Sequence, residues 1–126
     1  MRKIEDNLIV NMTFDFALQI MSFGESLEKN KRWIIANQIV RSVTSIGANV
    51  REAQNAESKA DFLHKFKIAA KEAEETLYWL QLCQASTSYP DCLELIDNLR
   101  RVKKVLNKII STTKLSKKTL ANPQIS

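Results

Sequence analysis

The chain has 126 residues, of which 44% are hydrophobic, and it carries a formal net charge of +5 at neutral pH. One domain of that length can bury a core without disulfides or a structural metal. Because the chain contains only two Gly and two Pro, it has too few turn residues for a sheet built from hairpins. This composition excludes a β architecture and predicts an all-α fold.

No stretch approaches the roughly 18 apolar residues that a membrane-spanning helix needs. Residues 1–10 start with basic side chains but lack the apolar core of a signal peptide. We therefore expect a cytoplasmic protein with no membrane partner. Cys83 and Cys92 have neither the spacing nor the nearby histidines of a zinc site. Free thiols are the expected state, and a disulfide between them is the less favoured alternative.

The first helix is predicted over residues 11–29, after a short extended lead-in at residues 1–10. Asn11 or Thr13 is the predicted N-cap. One apolar stripe at helical spacing comprises Phe16, Ile20, Phe23 and Leu27. Four further residues widen it enough to predict burial against more than one neighbour: Phe14, Ala17, Leu18 and Met21. Gly24, within the helix, predicts a close approach by another helix.

The second and third helices, predicted over residues 33–55 and 58–85, form the best-defined part of the pattern. The stripe of the second comprises Ile39, Val43, Ile46, Val50 and Ala53, and that of the third comprises Phe62, Phe66, Ala69 and Ala73. Gly47, inside the second helix, predicts close packing in preference to a functional kink. Ser58 and Asp61 have the spacing of a capping box at the start of the third helix. A link this short predicts an antiparallel α-hairpin.

The fourth helix is predicted over residues 90–112, with Pro90 in its first turn. Its heptad stripe comprises Leu95, Leu99, Val102, Leu106 and Ile109. Residues 116–126 predict a disordered basic and polar tail. Four helices with short connections predict an antiparallel up-down-up-down four-helix bundle, formed by residues 1–115 as one domain.

The sequence lacks the residues that the common bundle chemistries require. A di-iron bundle uses two Glu-x-x-His pairs, whereas His64 is the only histidine here. A Ser-His-Asp or Cys-His mechanism would likewise depend on that one residue. No Gly-rich phosphate loop is present. We therefore expect no catalytic residue, no metal and no cofactor, and the chain is predicted not to be an enzyme.

Polar residues follow one strip of the second helix: Arg41, Ser45, Asn49 and Glu52. Glu75 belongs to a comparable polar face of the third helix. One interpretation is a shared seam that recognises a ligand or a partner. The other, which we favour, is a structural or interface role: either a solvated face, or a buried Arg–Glu pair that fixes the helix register or subunit contacts.

The charge is strongly polarised along the chain. Residues 1–99 carry 11 basic and 14 acidic residues, whereas residues 100–126 carry eight basic residues and no acidic one. The eight are Arg100, Arg101, Lys103, Lys104, Lys108, Lys114, Lys117 and Lys118. The helix dipole favours cations only in the last turn of a helix, whereas these basic residues extend over several turns. Binding to the phosphates of a nucleic acid would use every one of these cations, although phosphate contacts carry no sequence specificity.

The central hairpin resembles a bacterial family of four-helix bundles, the S23 proteins encoded within intervening sequences of 23S ribosomal RNA genes. It is also similar to the accessory variability protein of diversity-generating retroelements. The resemblance is carried by Arg41-Ser42, by the run from Ser45 to Glu52, and by Phe62, Ile68-Ala69 and Glu75. Many relatives have Asn-Ile-Ala-Glu-Gly where this chain has Asn49 to Ala53. Loss of that Gly predicts a longer, more regular end to the second helix.

The resemblance implies a basic, non-enzymatic bundle that self-assembles, in some members as a ring of five. It also implies binding to RNA or DNA, alongside a reverse transcriptase in the retroelement relatives. The leading hypothesis is a homo-oligomer that binds nucleic acid through its fourth helix and tail. The alternative is a protein-interaction scaffold that docks an acidic partner, such as a reverse-transcriptase-like enzyme.

Overall fold

The computed structural model describes the backbone of residues 4–121 and the side chains of residues 7–116. Four helices make up the described chain: α1 (Ile4–Lys29), α2 (Trp33–Ala53), α3 (Lys59–Ala85) and α4 (Leu93–Ala121). No strand occurs within residues 4–121. The all-α bundle predicted from the sequence is confirmed.

Each helix packs against the helix before and after it in the chain, and α4 also packs against α1. Cross-helix contacts give the relative directions. Arg41 near the start of α2 meets Glu75 of α3, while Glu52 at the end of α2 meets Lys65 near the start of α3. Residues early in α2 therefore lie beside residues late in α3, so these two helices run antiparallel.

The predicted apolar stripes meet in one core. In α2 all five stripe residues are at most 1% exposed, and in α4 Leu99, Val102, Leu106 and Ile109 are buried. Phe62 and Leu95, also assigned to stripes, are only partly buried at its edge. Ser42 and Thr76, both fully buried, join their hydroxyls across α2 and α3 at 2.8 Å. Ser42 donates to the Ile39 carbonyl, and the single Thr76 proton is shared between Ser42 Oγ and the Glu72 carbonyl, so this polar pair is satisfied inside the core.

The apolar surface that widens α1 is not fully covered. Phe14, Leu18 and Met21 are about half exposed, at 52%, 51% and 46%. The prediction that the broad stripe is buried against several neighbours is therefore wrong for these three side chains within one chain. Helix α1 buries only the face that bears Phe16 and Ile20.

Several predicted boundaries are corrected. Helix α1 begins by Ile4, so residues 4–10 are not an extended lead-in, and residues 1–3 lie outside the described chain. Thr13 is not an N-cap: its hydroxyl donates back to the carbonyl of Ile9 at 2.8 Å, within the helix. Helix α2 ends at Ala53, two residues before the predicted end at 55, so the absence of Gly there does not lengthen it.

Helix α4 is displaced relative to its predicted span. It begins at Leu93, after Pro90, and it continues to Ala121, past the predicted end at 112. Residues 116–121, predicted to be disordered, are helical, and residues 122–126 lie outside the described chain. The predicted cap of α3 is correct, because Ser58 Oγ accepts from the Asp61 amide at 3.0 Å.

The two helical glycines differ in the space around them, which yields a matched pair of predictions. A Cβ added at Gly24 would lie 2.8 Å from Val40 Cγ2, whereas one at Gly47 would lie 3.7 Å from the Thr13 hydroxyl. Ala is better than Gly inside a helix by about 1 kcal/mol. Gly47→Ala should therefore raise the free energy of unfolding by up to that amount.

At Gly24 the same gain is opposed by overpacking against a stiff β-branched side chain, which costs about 1–3 kcal/mol. We expect Gly24→Ala to unfold at a lower urea concentration than Gly47→Ala. Urea unfolding followed by circular dichroism measures both. Equal midpoints would contradict the close approach of α2 to Gly24.

Candidate nucleic-acid interface

The basic half of α4 presents one outward strip of cations, defined here as Arg100, Arg101, Lys104 and Lys108 and called the α4 strip. All four side chains are exposed, whereas Leu99, Val102 and Leu106 between them are buried. Positions 100, 104 and 108 recur every four residues, and 101 lies three before 104, so the four share one side of the helix. At 1.5 Å per residue the α4 strip extends over about 12 Å.

The helix dipole does not account for these cations. It favours positive charge in the last turn of a helix, and α4 continues to Ala121. Even Lys108 therefore lies more than three turns before the end. Within the described chain, no acidic group lies within ion-pair distance of Arg100 or Lys104. Arg101 donates a hydrogen bond to Asn98 Oδ1 one turn earlier.

The remaining predicted nucleic-acid contacts divide into three cases. Lys103 is turned towards α3 and pairs with Glu74, so its charge is neutralised within the bundle. Lys114 is exposed on the far part of α4, off the α4 strip. Lys117 and Lys118 belong to the helix, but their side chains lie outside the described set. Four of the eight predicted residues thus come together on one surface.

The polar strip of α2 is occupied by contacts within the chain. Arg41 pairs with Glu72 and Glu75 of α3, and the Trp79 indole N–H also donates to Glu75 at 3.1 Å. Asn49 donates to the carbonyl of Ser45 at 2.9 Å. These bonds favour the structural interpretation of the strip over ligand recognition.

Glu52, the last member of that strip, pairs with Lys65 of α3 at 3.1 Å. His64 is exposed on the outside of α3. Among the described residues, no group of three or more His, Cys, Asp or Glu side chains is placed to hold a metal ion. None of the described helices is both long and apolar enough to span a bilayer.

Cys83 and Cys92 are buried free thiols near the end of α3 and the start of α4. The Cys92 thiol lies 3.2 Å from the main-chain carbonyl of Leu80. Burial raises the pKa of each thiol from 9.0 to about 11, because a thiolate would lose its hydration there. Both side chains are thus neutral and poorly nucleophilic at neutral pH, as expected of structural cysteines.

This burial has a measurable consequence. Iodoacetamide should leave both thiols unmodified in the folded protein at pH 8 and label both after unfolding in urea.

Since unfolded thiols ionise near pH 9.0 and folded ones near 11, the thiols destabilise the fold progressively as pH rises through that interval, relative to lower pH. A Cys83→Ala/Cys92→Ala variant should lose this part of the pH dependence. Rapid labelling of the folded protein would contradict the burial.

The contact between α1 and α4 involves side chains that the sequence patterns did not single out. Asn98 donates to Gln19 Oε1 at 2.9 Å, linking two helices that are far apart in the chain. Asp15 and Arg101 line the same groove. Asp15 and Gln19 look like ordinary solvated positions in the sequence. Nothing in the spacing within either helix indicates that they meet α4.

These features define a class of protein: an all-α bundle with an outward basic strip and, among its described residues, no metal cluster. A family model described as 23S rRNA-intervening sequence protein matches residues 5–108. The chain belongs to that family, as its central hairpin predicted. A comparison with curated proteins found no match.

A solved structure supports the same assignment. It is described as a protein with unknown function from the S23 ribosomal protein family of Bacteroides thetaiotaomicron. The two chains are 38% identical and superpose with a TM-score of 0.80, over 86% of this chain and 99% of the other. At that identity and coverage the two proteins share their fold and their family. Neither description names a reaction.

Proposed function

We propose that the protein is a non-enzymatic, self-assembling bundle that binds nucleic acid through the α4 strip. The observation that carries the proposal is the difference between two members of the α4 strip, Arg100 and Lys104, and the paired cations elsewhere in the bundle. Arg41, Lys65 and Lys103 each pair with a carboxylate of a neighbouring helix. Arg100 and Lys104, in the middle of α4, have no such partner in the described chain and project from the bundle.

Exposed cations in a row are suited to a polyanion. Each Lys or Arg that contacts a phosphate releases condensed counterions, which gives affinity without sequence recognition. The roughly 12 Å length of the strip corresponds to the axial rise of three to four phosphates of one strand in a duplex, at about 3.4 Å of helix axis for each phosphate. Lys114, Lys117 and Lys118 continue the positive charge towards the end of α4.

Self-assembly would multiply this weak contact. Phe14, Leu18 and Met21 leave a half-exposed apolar surface on α1, bordered by the Arg51 guanidinium over the Phe14 ring, and a second copy of the chain could cover it. Several copies would present several α4 strips to one polyanion, and the linked contacts would bind more tightly than one strip alone. The resemblance to S23 bundles implies such assemblies, including rings of five.

Size-exclusion chromatography with light scattering, run with and without a structured RNA at low and moderate salt, tests the proposal. We expect an oligomer that shifts with RNA at low salt and releases it as salt increases. Release should follow a linear decrease of log K with log salt concentration. An oligomer that ignores RNA at low salt would refute the nucleic-acid function.

An oligomer that does not bind RNA at low salt would favour the second candidate function, a scaffold that docks an acidic protein such as a reverse-transcriptase-like enzyme. The same α4 strip supports it, because exposed cations also steer acidic proteins. A complex with a purified acidic polymerase that survives nuclease treatment would favour the scaffold. Loss of the complex after nuclease treatment would favour nucleic acid as the bridging partner.

A further inference from the structure

A shallow, open groove of about 190 Å³ lies between α1 and α4, beside the α4 strip. Its floor is apolar, because Met12, Phe16 and Val102 line it, and Phe16 and Val102 are almost fully buried beneath it. Its rim is polar and comes from both helices: Asp15, Gln19, Asn98 and Arg101. A pocket for a drug-sized ligand usually holds about 300–1,000 Å³. This groove has room for a smaller group, on the scale of one planar ring system.

The rim has unused hydrogen-bonding capacity. Asn98 donates to Gln19 Oε1 at 2.9 Å and accepts from Arg101, which orients both amides and the guanidinium. The Gln19 amide N–H groups and the other Arg101 N–H groups have no partner in the described chain. The Asp15 carboxylate also makes no hydrogen bond or ion pair there, although it lines the same groove as Arg101.

The groove on the other side of α4 provides a contrast. It encloses about 200 Å³ between α3 and α4, and Glu74 and Lys103 line it. Those two side chains pair with each other across the groove and satisfy their own charges. In the α1–α4 groove the acid and the base face a shared space without pairing. Of these two grooves, the α1–α4 groove is the one that offers a ligand both an anionic acceptor and cationic donors.

We infer that the α1–α4 groove binds an unstacked guanine base of a single-stranded nucleic acid. Guanine presents two adjacent donors, N1–H and N2–H₂, which a carboxylate can accept together, and its O6 accepts from an amide or a guanidinium. Bases in single strands are commonly bound by their Watson–Crick edge over an apolar surface. In this arrangement Asp15 accepts from guanine, Gln19 or Arg101 donates to O6, and the ring lies over the apolar floor of the groove.

The position of the groove connects it to the α4 strip. Arg101 belongs to both, and Lys104 lies one turn further along the same helix. A strand whose phosphates follow the strip would therefore bring a base to the groove. This inference rests on the proposed nucleic-acid function and adds a preference that phosphate contacts alone do not give.

Fluorescence anisotropy with labelled single strands of about ten nucleotides, as RNA and as DNA, tests the inference. Three otherwise identical uracil- or thymine-rich strands carry guanine, adenine or an abasic site at one central position. All three have equal phosphate charge. We expect the guanine strand to bind roughly tenfold more tightly than the other two, the discrimination of one good bidentate contact.

Asp15→Asn should abolish most of that ratio, since it replaces the bidentate anionic acceptor by an amide. Asp97→Asn is the matched control, because it changes the charge equally at an exposed site of α4 that does not line the groove. Gln19→Leu should also reduce the ratio, because it removes a donor to O6. Circular dichroism checks that each variant is folded.

Equal binding of all three strands, with the salt dependence intact, would overturn the guanine site and leave the proposed function standing. A guanine preference that survives Asp15→Asn and Gln19→Leu would place the base elsewhere and also overturn it. Failure of every strand to bind at low salt would refute the proposed function itself.

Discussion

Replacing Arg100, Lys104 and Lys108 by Gln is expected to lower the affinity for RNA at least about tenfold at low salt. The reason is electrostatic, because each lost phosphate contact forgoes the release of condensed counterions. The slope of log K against log salt concentration should become shallower by about 2–3, near 0.9 for each contact removed from a duplex. Arg101 is left intact, so that the α1–α4 groove keeps its guanidinium. Anisotropy titrations at several salt concentrations give both quantities.

A control variant separates the position of the charge from its amount. Lys29, Lys67 and Lys71 are exposed on α1 and α3 and are not members of the α4 strip. Changing these three to Gln lowers the net charge from +5 by the same amount. We expect the control variant to bind within about twofold of the unaltered protein and to retain nearly its full salt slope. If both variants lost affinity equally, the binding would depend on net charge, and the α4 strip would not be the site.

The core of this fold could be predicted because periodicity reports burial directly. Ile39, Val43 and Ile46 recur at four-three spacing and are all buried. The ends of the helices were harder to predict from the sequence, because they depend on competing local hydrogen bonds. Thr13 is of a residue type common at N-caps, but its hydroxyl donates to the Ile9 carbonyl inside a longer α1. In that position tertiary packing outweighs a modest loss of helix propensity.

The limits of α4 have identifiable causes. At its start, Gln84 accepts from the Cys92 amide at 2.7 Å and donates to Asp91 at 2.9 Å, which holds residues 91 and 92 as a loop after Pro90. At its far end, Lys59 donates to Ser116 at 2.9 Å, beyond the last residue of the heptad stripe. Both contacts join residues of different segments of the chain, and helical periodicity therefore cannot predict them.

The candidate interface was only partly visible in the sequence for a related reason. Clustered cations are evident from composition, and four of the eight form the α4 strip. Whether a given cation is free depends on its neighbours in space. Lys103 and Lys104 are adjacent in the chain, yet Lys103 pairs with Glu74 of α3, whereas Lys104 has no ion-pair partner among the described residues. The α1–α4 groove could not be predicted from the sequence, because it depends on a contact between Gln19 and Asn98, which lie 79 positions apart in the chain.

The second large effect concerns the packing that holds the α4 strip in place. Leu106 and Leu115 both lie on α4, with 0% and 64% of their surfaces exposed. Leu106→Ala removes buried methyl groups and leaves a cavity, which costs about 2–5 kcal/mol. Leu115→Ala makes the same chemical change at the surface, where the cost should stay within about 0.5 kcal/mol. Urea unfolding of the two variants measures the difference.

The pair is matched in residue type and in helix propensity, so the difference reports burial. A small domain is stable by only about 5–15 kcal/mol, so Leu106→Ala should clearly lower the urea midpoint. Because the α4 strip is presented only while α4 is docked, Leu106→Ala should also weaken RNA binding at urea concentrations that leave Leu115→Ala unaffected. Equal midpoints would mean that Leu106 is not buried against the other helices. A loss of binding with Leu115→Ala alone would instead place the contact surface further along α4 than the strip.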